Sequence, residues 1–180
     1  MKYSLGWLRE QTAQGTHFDY EFFWGHTQKQ PGIIDKSCFS QWFPASFKAD
    51  DVMYPTAEHW MMAKKALLFN DRQRYNNIIT AASPAIAKKE GRAVANFNEQ
   101  VWKQHAYNFV VEGNLHKFSQ HAEMKSFLWA TGNKIIVEAS PFDKIWGIGM
   151  KEHETNPFKW KGTNLLGFAL MEVRDQCKET

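Results

Sequence analysis

Glu58 and Lys65 stand seven positions apart in a stretch whose apolar residues recur at helical spacing, so on an α-helix their directions differ by only about 20°. An acid and an amine then look the same way, with Met62 between them. Such a pair can face one cleft and meet one ligand there. A plainer account covers both residues: an acid in a first helical turn is favoured by the macrodipole, and a helical lysine is ordinarily a solvated charge.

The second constellation is Asp143-Lys144-Ile145-Trp146-Gly147-Ile148-Gly149. Glycines beside a tryptophan let backbone approach a ligand while the indole covers a ring face, although a turn followed by a core tryptophan has the same letters. Gly162-Thr163-Asn164-Leu165-Leu166-Gly167 runs into a helix start, where free amides receive a phosphate or where capping alone is at work. The seven histidines form no H-E-x-x-H and no cluster with cysteine, so no metal or other cofactor is expected. His59 lies next to Glu58, but adjacent helical residues diverge, and a packed or exposed histidine is the expectation. Neither G-x-S-x-G nor G-x-x-x-x-G-K-[ST] occurs, which leaves serine-hydrolase and P-loop readings without support.

Several elements must carry these residues. Residues 18–24 begin with the alternation of a half-buried strand, and residues 38–54 read as a second extended region broken at Pro44 and at Ala49-Asp50-Asp51; together they suggest a small sheet. Thr56 caps a helix whose stripe is Ala57, Trp60, Met61, Lys64, Leu67 and Leu68. Ser83-Pro84 opens a short helix that ends near Gly91, Asn98 opens a longer one, and Ser119 is expected to start another that stops at Gly132. Residues 134–140 read as a buried strand and residues 164–176 as a final helix. The fold class is therefore α+β, a mainly helical single domain with a small β-sheet.

Composition narrows the partners. At 180 residues, with 43% hydrophobic and 23% charged residues, the chain is one folded module and not a disordered protein. Eight tryptophans is a large allotment, and indole stacks on planar ligands as well as filling cores. A net charge of +3 is far from the cationic field of a dedicated DNA-binding module and suits a phosphorylated small molecule. Cys38 and Cys177 match no metal or redox spacing, which points to a reducing compartment. No apolar run approaches membrane-spanning length and residues 1–20 hold no signal-peptide core, so a cytoplasmic protein without membrane attachment is expected.

Taken together, Tyr54-Pro55-Thr56-Ala57-Glu58-His59-Trp60 with Ala63 and Lys65, Gly91-Arg92, Trp102, Gln120-His121-Ala122-Glu123, Trp146-Gly147-x-Gly149, and Asn164-x-Leu166-Gly167 with Glu172 and Arg174 resemble the YbiA-like NADAR family. The resemblance runs from about Phe22 to Arg174 and implies a core over residues 21–176, preceded by an extension over residues 1–20 of unassigned role. It departs from the pattern at Ala57, at Ile148 and in residues 151–160, which look like an insertion.

The resemblance implies an N-glycosidase that cleaves the ribosyl C–N bond of a phosphorylated N-riboside such as a ribosylaminopyrimidine phosphate of the riboflavin pathway. The alternatives are a hydrolase of ADP-ribosylated guanine, with nucleic acid only as a modified substrate and Lys88, Lys89 and Arg92 as a basic path, and a silent nucleotide-binding module. Carried over by position, Glu58, Lys65 and Asp143 are the expected catalytic residues. Arg92, Trp102, Trp146, Gly147, Gly149, Asn164 and Gly167 are the expected substrate-binding residues, with Arg92 as the phosphate clamp.

Overall fold

The computed structural model describes residues 1–151 and 153–178. Glu152, inside the segment read as an insertion, lies outside the described residues. The chain divides into two compact units, Met1–Ser40 with Ala122–Thr180, and Gln41–His121.

The first unit is built on two short parallel strands, β1 (Tyr20–Phe23) and β4 (Ile135–Glu138), paired from Tyr20↔Ile135 to Phe23↔Glu138. Sequence reading placed residues 18–24 in a sheet with residues 38–54; the partner is instead more than a hundred positions away. The reason lies in β4, where Ile135, Ile136 and Val137 are all fully buried, the run of a strand covered on both faces. Helix α7 (Leu165–Lys178) packs on β4, and α6 (Ala122–Ala130) packs on α7. Ahead of the sheet stands α1 (Leu5–Ala13), which the sequence reading left unassigned. Ser4 caps it through a Trp7 N–H donated to Oγ at 3.0 Å, and it sinks Leu8 completely.

The second unit opens with the hairpin β2 (Phe47–Ala49) and β3 (Val52–Tyr54). Its two-residue turn puts Asp50 and Asp51 at φ 49° and 61°, the left-handed pair that matches the twist of a tight hairpin. Helix α2 (Ala57–Leu68) then runs through the middle of the unit, against α3 (Arg72–Ile79), α4 (Pro84–Arg92) and α5 (Glu99–Ser119). Ser83 and Asn98 cap α4 and α5 as their letters suggest. Ser119 does not open a helix; it ends α5, and α6 starts at Ala122. Burial on α2 is also wider than the expected stripe: Leu67 and Leu68 are only half-buried, whereas Glu58, His59 and Lys65 are buried. Three helices packed around one leave α2 almost no solvent face, so its polar residues go inside with it.

Two glycines set this packing. A Cβ at Gly113 would lie 2.3 Å from the indole of Trp60, so α5 crosses α2 at that point. The indole N–H donates to Phe109 O at 2.8 Å in the same crossing. A Cβ at Gly91 would lie 2.2 Å from the sulfur of Met62, so α4 presses on the stretch between Glu58 and Lys65. Gly91 thus acts as a contact surface, with Arg92 following it at the end of α4.

Candidate active site

The candidate residues fall into two groups, one in each unit. In the helical unit, Glu58 lies in the first turn of α2 and is only 4% exposed. Its N–H donates to Gln41 O at 2.9 Å, which ties this turn to the chain entering the unit. The Gln41 side chain in turn accepts from Asn114 Nδ2 at 2.8 Å, so α5 helps to fix the backbone of Glu58.

His59 is packed, as expected, and its tautomer follows from its partners. Ala81 O can only accept, so Nε2 carries the proton and donates to it at 3.1 Å; Nδ1 then accepts from the Thr56 hydroxyl at 2.8 Å. Both ring nitrogens are satisfied in the neutral form, and burial lowers the pKa of the imidazole. The ring fixes the cap of α2 to the chain after α3.

Lys65 sits two helical turns beyond Glu58, about 10 Å along the axis. Its Nζ lies 4.1 Å from the ring centre of Phe97 and 5.5 Å from that of Trp102. Among the described residues it forms no ion pair, although the residue is only 9% exposed. Burial pushes the amine below its ordinary pKa, and the nearby charge of Arg92 pushes it further the same way. Arg92 itself is exposed. Lys65, Arg92 and Trp102, all expected from the resemblance, are therefore near one another.

Phe97 was missed. It directly precedes the cap residue Asn98, and Trp102 is the fourth residue of α5; these are the two positions of a hydrophobic staple, a signal legible in the sequence. In this protein both staple rings meet at the lysine amine.

In the other unit, Asp143 and Trp146 share one turn. Asp143 Oδ1 accepts from the N–H groups of Ile145 at 2.8 Å and Trp146 at 2.7 Å, and Asp143 O accepts from Gly149 N–H at 3.0 Å. Gly149 has φ +68°, where a side chain would be strained. The amides of residues 163–166, read as a possible phosphate cradle, are taken. They donate to the carbonyls of Lys144, Gly147, Ile145 and Trp146 respectively at 3.0–3.1 Å, so capping is the account that holds for this loop.

Protein backbone fills the space a side chain would need at the other glycines. A Cβ at Gly147 would lie 2.8 Å from Glu138 O, and one at Gly167 would lie 2.0 Å from Ile136 O. Asn164 is wholly buried at φ +54°; its Oδ1 accepts from Glu138 N–H at 3.0 Å and its Nδ2 donates to Ile136 O at 2.9 Å. Gly147, Asn164 and Gly167 thus join β4, the turn and the start of α7, and Trp146 is presented half-buried at the surface of that assembly.

An α+β chain with a buried carboxylate, a buried amine and an exposed guanidinium on packed helices, and a glycine-braced tryptophan turn, is the class of protein these features define. The chain belongs to the NADAR domain family, whose sequence profile matches residues 22–178. It is 44% identical over 168 residues to an N-glycosidase of Acanthamoeba polyphaga mimivirus, an alignment covering 89% of this chain and 97% of that one. It is 32% identical over 142 residues to N-glycosidase YbiA of Escherichia coli, covering 79% and 80% of the two chains. The NMR structure of the E. coli protein YbiA superposes with a TM-score of 0.71 at 28% identity, over 96% of this chain and 93% of that one.

Proposed function

We propose that the protein is an N-glycosidase that hydrolyses the ribosyl C–N bond of a phosphorylated N-riboside of the ribosylaminopyrimidine phosphate kind. The observation that carries this reading is the amine of Lys65, buried between two aromatic rings without an ion pair and beside an exposed arginine. Burial and the neighbouring guanidinium lower the pKa of that amine, which raises the share of its nucleophilic form, and a guanidinium is suited to a phosphate. Relatives named as N-glycosidases support the same reaction class.

Cleavage leaves positive charge on the anomeric carbon and sends the bonding pair to the departing base, which takes up a proton. In the proposed course neutral Lys65 attacks that carbon and the carbon–base bond breaks; the ring C–O bond then opens as a proton passes from Nζ to the ring oxygen, and the open-chain sugar is held as an iminium through Nζ. Water then adds to the same carbon, the carbon–Nζ bond breaks, and the ribose phosphate leaves with Lys65 regenerated. Glu58 stabilises the cationic sugar and activates the water. Arg92 takes the phosphate and Trp102 covers the planar base. In the other unit, Asp143, whose Oδ1 is engaged in its own turn, is proposed as a proton-transfer group through Oδ2, and Trp146 as a ring that faces a planar ligand. Gly147, Gly149, Asn164 and Gly167 serve the site by building the turn that bears Trp146.

Product analysis by mass spectrometry, run in parallel on a ribosylaminopyrimidine phosphate and on ADP-ribosylated guanine, tests the reading. Base release from the first substrate is expected. Release from the second alone would move the protein to ADP-ribosyl-guanine hydrolysis, and tight nucleotide binding with release from neither would make it a binding module.

A further inference from the structure

Helix α1 precedes the residues matched by the family profile, yet it does not stand apart from the fold. Leu8 is fully buried, Tyr3 OH donates to Asp175 Oδ2 on α7 at 2.8 Å, and Trp7 packs against both Tyr3 and Phe18. From this fixed base Arg9 reaches the segment read as an insertion. Its Nε–H donates to Pro157 O at 3.1 Å and its guanidinium lies 5.7 Å from the ring centre of Phe158. Phe158 is 55% exposed, so burial contributes little at that point and the arginine supplies the hold.

The ends of the same segment rest on one face of β1. His153 stacks on Phe22 at 4.7 Å, Phe22 stacks on Tyr20, and Trp160 meets Tyr20 edge-on at 6.3 Å. The Trp160 indole N–H donates back to Glu154 O, closing the segment on itself. Beyond it, Lys161 N–H donates to Ile148 O at 3.0 Å and Leu166 N–H to Trp146 O at 3.0 Å. Contacts and the intervening backbone therefore lead from Arg9 through residues 157–161 to Ile148, two residues beyond Trp146.

We infer that α1 is a positioning element: by clasping residues 157–158 through Arg9 it fixes the turn that presents Trp146, making Arg9 a positioning residue for the planar end of the ligand. The inference rests on the reading of Trp146 as a ligand-facing ring. The test uses the full chain labelled with 5-fluorotryptophan, with the Trp146 fluorine line assigned by Trp146→Phe. In Arg9→Ala the Trp146 line shifts or broadens while the Trp60 and Trp102 lines hold, and Arg9→Lys, which keeps charge but loses the planar fork, falls in between. Phe158→Ala gives the same change, and the double variant adds little to either single one, because both remove one contact. An unchanged Trp146 line overturns the inference, as does a change spread equally over Trp60 and Trp102. In kinetics, Arg9→Ala raises KM roughly fivefold with kcat within about twofold. The fluorine readout needs no turnover, so failure of the N-glycosidase reading and failure of this inference are told apart.

Discussion

At the scale of single residues, Lys65 and Arg92 make the sharpest demand. Arg92 adds to the fall in the Lys65 pKa, so removing its charge lets that pKa climb back towards its ordinary value. If the neutral amine is the nucleophile, kcat rises with pH through the Lys65 pKa, and Arg92→Ala displaces that rise to higher pH while raising KM for phosphorylated substrate. A pH–rate profile with the rising limb unmoved would count against Lys65 as nucleophile. His59 gives a stability prediction with a definite sign. Its pKa is lowered from 6.5 in the folded state, so the unfolded chain binds the proton more readily and folding stability falls as pH drops below about 6.5. Thermal melts between pH 7 and 5 should show a shallower decline for His59→Gln than for the parent chain. Residue type and helical spacing made Glu58 and Lys65 candidates, whereas Arg92 and Trp102 became candidates only through the family resemblance. The staple made Phe97 legible as a partner of Trp102, but its place beside the Lys65 amine depends on the packing of α2 against α5, and the bonds that hold Asn164 come from β4.

At the scale of elements, glycines record how closely one piece of backbone approaches another. Gly91 faces the Met62 side chain, whose sulfur can swing aside while its Cβ, 3.0 Å from an added Cβ, cannot, so Gly91→Ala should cost about 1–3 kcal/mol and disturb the packing beside Lys65 with the fold retained. Gly167 faces the carbonyl of Ile136, which cannot yield without moving β4, so Gly167→Ala should lose folded protein outright. Denaturant titrations of the two variants check the contrast, and equal small losses would contradict it. The capped helices α2, α4 and α5 were legible because Thr56, Ser83 and Asn98 announce their starts. Helices α1 and α3 were not: each is short and each buries a single residue fully, Leu8 and Ile78, so neither shows an apolar stripe. The pairing of β1 with β4 was hidden for another reason, since two four-residue strands separated by most of the chain leave no local signal of partnership.

At the scale of the whole molecule, modest positive charge and abundant indole suit the phosphorylated, planar, ribosylated ligand proposed for this member of the NADAR domain family. No helix among the described residues is long and apolar enough to cross a membrane. The helical unit carries Glu58, Lys65 and Arg92, and the strand-containing unit carries Asp143 and the Trp146 turn. The account stands or falls on Glu58, the one acid that α2 carries inward. Liberated pyrimidine is quantified by chromatography and mass spectrometry after incubating a ribosylaminopyrimidine phosphate with the parent chain and with Glu58→Gln, which keeps volume and removes charge. The parent should release the base, and the variant should be slower by at least about a hundredfold with an unaltered melting transition. Equal release by both chains would contradict the central claim.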